Sequence, residues 1–171
     1  MVVLKLSIKA ELENVTDLVP ASDDFEYFFQ VKCNSCHEVH PKLVSVNRLV
    51  CLSLGTWMEL QFTICNMTQK EREVAGGKGS TANFVWRCGS CKRESSAKFH
   101  EKTSVPKPYS VDSNGQFAPL IEIECRGLEF VGFDARGVWK CVGAESGTNF
   151  PEVDLEDGEW NDYDEKINTQ V

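Results

Sequence analysis

The sequence predicts an all-β, mostly antiparallel protein, and three observations predict it. Apolar residues recur at every second position in several segments, the period of a strand with one buried face. Clusters of Pro, Gly, Asn, Asp and Ser separate those segments. Outside residues 49–69 no stretch sustains the apolar stripe of a helix.

Each element follows from its own pattern. Val2, Leu4, Leu6, Ile8, Ala10 and Leu12 alternate with Lys5, Ser7, Lys9 and Glu11. Tyr27, Phe29, Val31 and Cys33 form the inward register of a second strand, and Phe84, Trp86 and Cys88 that of a third. Ile121, Ile123 and Cys125 alternate with Glu122 and Glu124, and Val138 to Val142 is a further strand. Turn segments are expected at 20–24, 76–80, 106–108, 113–115 and 145–148. Phe29–Asn34 and Ile121–Arg126 also echo one another: both are alternating strands that reach a cysteine before a turn. Two related halves with metal in one of them would produce such an echo, and so would chance similarity between two short strands.

Composition limits the function classes. The chain has 171 residues, 42% of them hydrophobic, enough for a core in one compact unit. We divide it into a half at 1–110 and an acidic half at 111–171. No continuous apolar block follows Met1, so no signal peptide is read, and residues 49–65 are shorter than a membrane span and contain Glu59. A soluble intracellular protein, cytoplasmic or nuclear, is the expectation. In that reducing setting eight cysteines point to metal or thiol chemistry before disulfides. The net charge of -8 is unevenly spread: residues 70–110 carry nine basic and four acidic groups, and residues 111–171 carry four basic and fourteen acidic ones. The basic block surrounds the second cysteine pair. It either neutralises a metal site or offers phosphate contacts through Arg87, Lys92, Arg93 and Lys98; the acidic remainder opposes the latter.

The chemistry sits in two CxxC pairs, Cys33/Cys36 and Cys88/Cys91. Each closes an alternating strand, and each has a small residue before its second cysteine. Such a turn aims both sulfurs at one point and lets backbone amides face the thiolates. Two of them supply the four sulfurs of a closed tetrahedral site for one structural Zn2+. Iron could use the same ligands. Four thiolates around Zn2+ leave a formal charge of about -2, which the adjoining Lys32, Arg87, Lys92 and Arg93 can offset. Redox chemistry of the thioredoxin kind needs a CxxC that opens a helix, and neither pair does. His37, His40 and His100 are not needed as ligands, and Cys125 and Cys141 read as core. A full shell leaves no open position for substrate or water, so no catalytic residue is assigned. Gly76–Thr81 lacks the spacing of a phosphate loop, and the acidic stretch 152–165 lacks that of a calcium loop and reads as a solvated face or partner surface.

Taken together, Leu6–Thr16, the two CxxC pairs, Gly76–Ser80, Glu124–Glu129, Glu145–Thr148 and Trp160–Lys166 resemble the eukaryotic CXXC motif-containing zinc-binding protein family. The resemblance covers nearly the whole chain. It implies a β-rich fold of two related halves, zinc in the first held by Cys33, Cys36, Cys88 and Cys91, and no established enzymatic activity. The 51 residues between Cys36 and Cys88 exceed the spacing that the resemblance implies, and joining Arg48 to Lys70 restores it. Residues 49–69 thus read as a lineage-specific insert or an unspliced intron. A valine codon begins GT and a glutamine codon can end AG, which suits Val50 and Gln69 as intron edges. The function expected is a zinc-stabilised, non-enzymatic binding or adaptor module with a protein partner, monomeric and away from membranes. A nucleic-acid-binding zinc ribbon and a thiol- or metal-handling protein are the alternatives.

Overall fold

The computed structural model describes residues 1–48, 72–73, 81–100 and 105–171. The 49–69 segment and the 76–80 glycine turn lie outside the described residues. Strands dominate: β1 (Val2–Ile8), β2 (Val15–Pro20), β3 (Glu26–Cys33), β4 (Val44–Asn47), β5 (Arg72–Glu73), β6 (Thr81–Ala82), β7 (Phe84–Arg87) and β8 (Glu94–Phe99) come first. After a 3-10 turn at Val111–Ser113 follow β9 (Ala118–Arg126), β10 (Leu128–Asp134), β11 (Val138–Gly143), β12 (Asn149–Asp154), β13 (Tyr163–Asp164) and β14 (Thr169–Gln170). The described residues contain no α-helix, and none of their helices is long and apolar enough to cross a membrane.

The period-two reading holds at the core. Tyr27, Phe29, Val31 and Cys33 are at most 3% exposed, as are Ile121, Ile123 and Cys125. Trp139 and Cys141 are buried from β11, while Val138 faces outward. Phe25 stands edge-on to both Tyr27 and Trp139, at 5.0 and 5.2 Å, and Phe29 stacks on Phe130 at 4.4 Å. Full burial of each large apolar side chain contributes roughly 1.5–3 kcal/mol, so this aromatic seam is a main source of stability.

Three larger sheets are all antiparallel, in the orders β1-β9-β8-β7, β10-β3-β4 and β12-β11-β2. Each combines strands from both sides of residue 110. The element order also repeats. A long strand (β1, β9) leads to a residue with positive φ, Asn14 at 58° or Gly127 at 76°. A second strand follows (β2, β10), then a third (β3, β11) that ends in a tight hairpin. The second strands are exchanged: β2 pairs with β11, and β10 pairs with β3.

This repeat corrects the alignment of the echo seen in the sequence. The counterpart of β3 is β11, so Cys33 corresponds to Gly143, and β9 corresponds to β1. Cys125 closes no hairpin; it pairs with Val2 and Ala97 within a sheet. Two alternating strands look alike in sequence whatever their place in the topology, because alternation encodes burial and not connectivity.

Candidate metal centre

The two CxxC pairs form hairpins of one design. At the tip after β3, the amide of His37 donates to the carbonyl of Cys33 at 2.8 Å, and the amide of Cys33 donates to Glu38 at 2.9 Å. After β7, the amide of Lys92 donates to Cys88 at 3.1 Å and that of Cys88 to Arg93 at 3.0 Å. His37 and Lys92 occupy the left-handed region, with φ of 61° and 60°. That single reversal lets the chain turn back within four residues while both sulfurs stay on the inner side.

The tips meet. The Sγ atoms of Cys33, Cys36, Cys88 and Cys91 all lie within 4.8 Å of one another. Cys33 is 3.7 Å from Cys91, and Cys36 is 3.5 Å from Cys88. A zinc–sulfur bond of about 2.3 Å in a tetrahedron puts sulfurs roughly 3.8 Å apart, so the four fit one Zn2+ ion. Cys33 and Cys88 are buried, Cys91 is half-buried and Cys36 is exposed.

Electrostatics asks for a cation. The amides of Cys36 and then Ser35 turn toward Cys33 and, with the sulfurs of Cys36 and Cys91, outweigh burial and hold its thiol down to about 6. Cys36 moves the other way: the Glu38 amide favours its thiolate, but desolvation and the sulfurs of Cys88, Cys33 and Cys91 push it up to about 12. Cys33 and Cys36 this close do not readily ionise together. A divalent cation at their centre removes that conflict.

The basic neighbours divide their roles. Arg93 donates to Ser35 Oγ at 3.1 Å, tying one hairpin to the other. Arg87 donates to the carbonyl of Lys92 at 2.9 Å, and the Lys92 ammonium caps the Gly89 carbonyl within its own turn. Lys32, next to Cys33, pairs with Glu129 at 3.8 Å. His40 packs edge-on to Trp86 at 5.8 Å, and His100 lies 3.8 Å from Glu124, so neither joins the sulfur cluster. Cys125 and Cys141 are core thiols, as expected, raised by burial to about 12 and about 11.

The chain belongs to the eukaryotic CXXC motif containing zinc binding protein family, whose description it matches over residues 5–51 and 58–171. The break at 52–57 falls inside the 49–69 segment. The human protein named CXXC motif containing zinc binding protein is 34% identical over 168 residues, 98% of this chain and 91% of that one. The Xenopus laevis protein of the same name is 35% identical over 171 residues, 100% of this chain and 92% of its own. The crystal structure of C1orf123 superposes with a TM-score of 0.79 at 32% identity, covering 99% of this chain and 92% of that one. The zinc binding for which the family is named matches the sulfur geometry here.

A second hairpin pair was not legible as a site. After β11, the amide of Gly147 donates to Gly143 at 3.0 Å and that of Gly143 to Thr148 at 2.7 Å, the same two bonds as in the cysteine hairpins. Gly147 has φ of 64°. The β13–β14 hairpin turns over the same number of residues, with Asn168 at 50°. No cysteine stands at either tip. Asp164, fully buried, accepts from the hydroxyl of Ser146, from Thr148 Oγ1 at 2.9 Å and from the amide of Lys166 at 3.0 Å. Those bonds, the Ser146 hydroxyl first, hold its carboxyl below the usual carboxylate range. The acidic stretch read as a solvated face thus contains one buried structural anion. The signal was present: Gly143 and Ser146 repeat the spacing of a CxxC pair after an alternating strand.

Proposed function

We propose that Cys33, Cys36, Cys88 and Cys91 hold one structural zinc ion and that the chain is a zinc-stabilised, non-enzymatic binding or adaptor module. The mutual proximity of the four sulfurs carries this reading. Four protein ligands complete a tetrahedral shell and leave no coordination site for a substrate or an activated water. The ion joins tips 55 residues apart, since it links Cys33 to Cys88. Its binding energy thereby becomes folding energy, and long separation costs little once the ends meet.

The test is metal analysis of the purified chain followed by thermal unfolding under reducing conditions, with and without a chelator. One zinc per chain and a transition that falls on chelation are expected. Full retention of the same cooperative transition after complete metal removal would overturn the structural role. Turnover abolished by Cys36→Ser in a still-folded protein would overturn the non-enzymatic part.

A further inference from the structure

The metal centre lies at one end of β3, and a different part of the molecule carries an open cleft. β1 and β10 are both outer strands, each with one neighbour among the described residues, β9 and β3 respectively. A cleft of about 290 Å³ is lined by consecutive residues of both, Leu4 to Ser7 from β1 and Phe130 to Phe133 from β10. Consecutive residues point alternately to the two faces of a regular strand, so lining by Leu4 to Ser7 means that the backbone edge of β1 borders the cleft, opposite the bulge of β10 at Val131. Through Leu6, Ser7 and Phe133 it continues into an open cleft of about 1080 Å³, floored by Trp139, Leu155 and Trp160. Phe117, three-quarters exposed, and Val131, nearly half exposed, stand along the narrow part.

We propose that this trench is a β-augmentation site for an extended peptide segment of a partner protein. The proposal rests on the binding-module reading and supplies its surface. Unsatisfied edge amides and carbonyls on a strand recruit another strand, and pockets beside them select its alternate side chains. β10 bulges at Val131, so the regular edge is that of β1, seven residues long, which suits a segment of about seven residues spanning roughly 23 Å. Charge fixes the chemistry of the occupant. Glu11, Glu13 and Glu159, all exposed, border the wide end against the single Lys9, while Lys5 at the narrow end is already paired with Glu122 at 3.4 Å. The peptide therefore alternates apolar residues along β1 and places Lys or Arg beside the glutamates.

The experiment pans a phage-displayed library of random octapeptides against the zinc-loaded full chain. Synthetic versions of the selected peptides are then titrated by fluorescence anisotropy. Alternating apolar peptides with a basic end are expected. Their affinity should fall at least about tenfold for Phe117→Glu and for the Glu11→Lys, Glu13→Lys pair, all exposed positions that leave the zinc content unchanged. Methylating alternate peptide amides should abolish binding for one register and spare the other. Recovery of no peptide, or of acidic or helical ones, overturns the proposal. Binding that ignores both the variants and the methylation also overturns it while leaving a module that binds elsewhere. A concentration-dependent dimer that Phe117→Glu dissolves would assign the trench to a second copy and overturn it equally. Zinc content and unfolding, measured alongside, judge the metal reading separately.

Discussion

The hairpin pair at Cys33–Cys36 and Cys88–Cys91 and the pair built on Gly143–Ser146 and Asp164 share one backbone and solve one problem differently. In each case two tight tips must be locked together. The first pair supplies four sulfurs that converge within reach of one cation. The second supplies a carboxylate ringed by hydroxyl and amide donors, which needs nothing from outside. A metal lock is strong and conditional on supply; a hydrogen-bonded anion is weaker and always present. The comparison teaches that backbone geometry sets where a tie belongs, while the tip residues decide what it is made of.

The largest effect should come from Cys88→Ser, which leaves three sulfurs and an incomplete shell. Structural zinc contributes on the order of 10 kcal/mol in small domains, against a total margin of about 5–15 kcal/mol. The variant should lose zinc in a chelator competition assay and unfold without a sharp transition. A folded, zinc-retaining Cys88→Ser protein would break the contrast between the two ties.

Next comes Asp164→Ala, which removes the buried acceptor of the half-buried Ser146 and Thr148 hydroxyls. It should lower the melting temperature without changing zinc content, and Asp164→Asn should lower it less. The pH dependence has a definite sign. Asp164 has a folded pKa below its unfolded value of about 3.9, so its contribution is fully present above that value and is lost as pH falls through the lower folded one. The melting-temperature margin of wild type over Asp164→Asn should therefore stay constant from neutral pH down to the point at which zinc leaves. Zinc, held by thiolates that must stay deprotonated, should already have left at higher pH.

Gly143→Ala sharpens the comparison at the position equivalent to Cys33. A Cβ there would sit 2.8 Å from Asp164 Oδ2 and closer still to Ser146 Oγ. A cost of about 1–3 kcal/mol is expected from forcing the anion aside, read by denaturant titration. An unchanged midpoint would show that the second tie is slack. The smallest effect belongs to Arg93→Ala, which removes the exposed contact to Ser35 Oγ. Its loss should cost about 0.5–1.5 kcal/mol and leave zinc binding intact.

What the sequence disclosed follows the range of its physical signals. The strands β1, β3, β7, β9 and β11 declared themselves because burial on one face imposes a period of two. The four cysteines were legible because few roles other than metal binding require that spacing twice. β2, β10, β12 and the short β13–β14 hairpin escaped, since Val15–Pro20 contains a positive-φ Asp17 and Leu128–Asp134 is only partly buried. Asp164 was invisible for a different reason. Nothing local separates a buried aspartate from its acidic neighbours Asp162 and Glu165; its donors arrive from Ser146 and Thr148, across a turn and another strand.

The exchange of β2 and β10 has a consequence for how the chain is made. All four sulfurs have left the ribosome once residue 91 emerges, so the ion can be captured early in synthesis. Yet β3 still lacks β10, and β2 waits for β11, both encoded beyond residue 127. An ion captured at that point would be held while two sheet borders stand open, and only the last quarter of translation closes them.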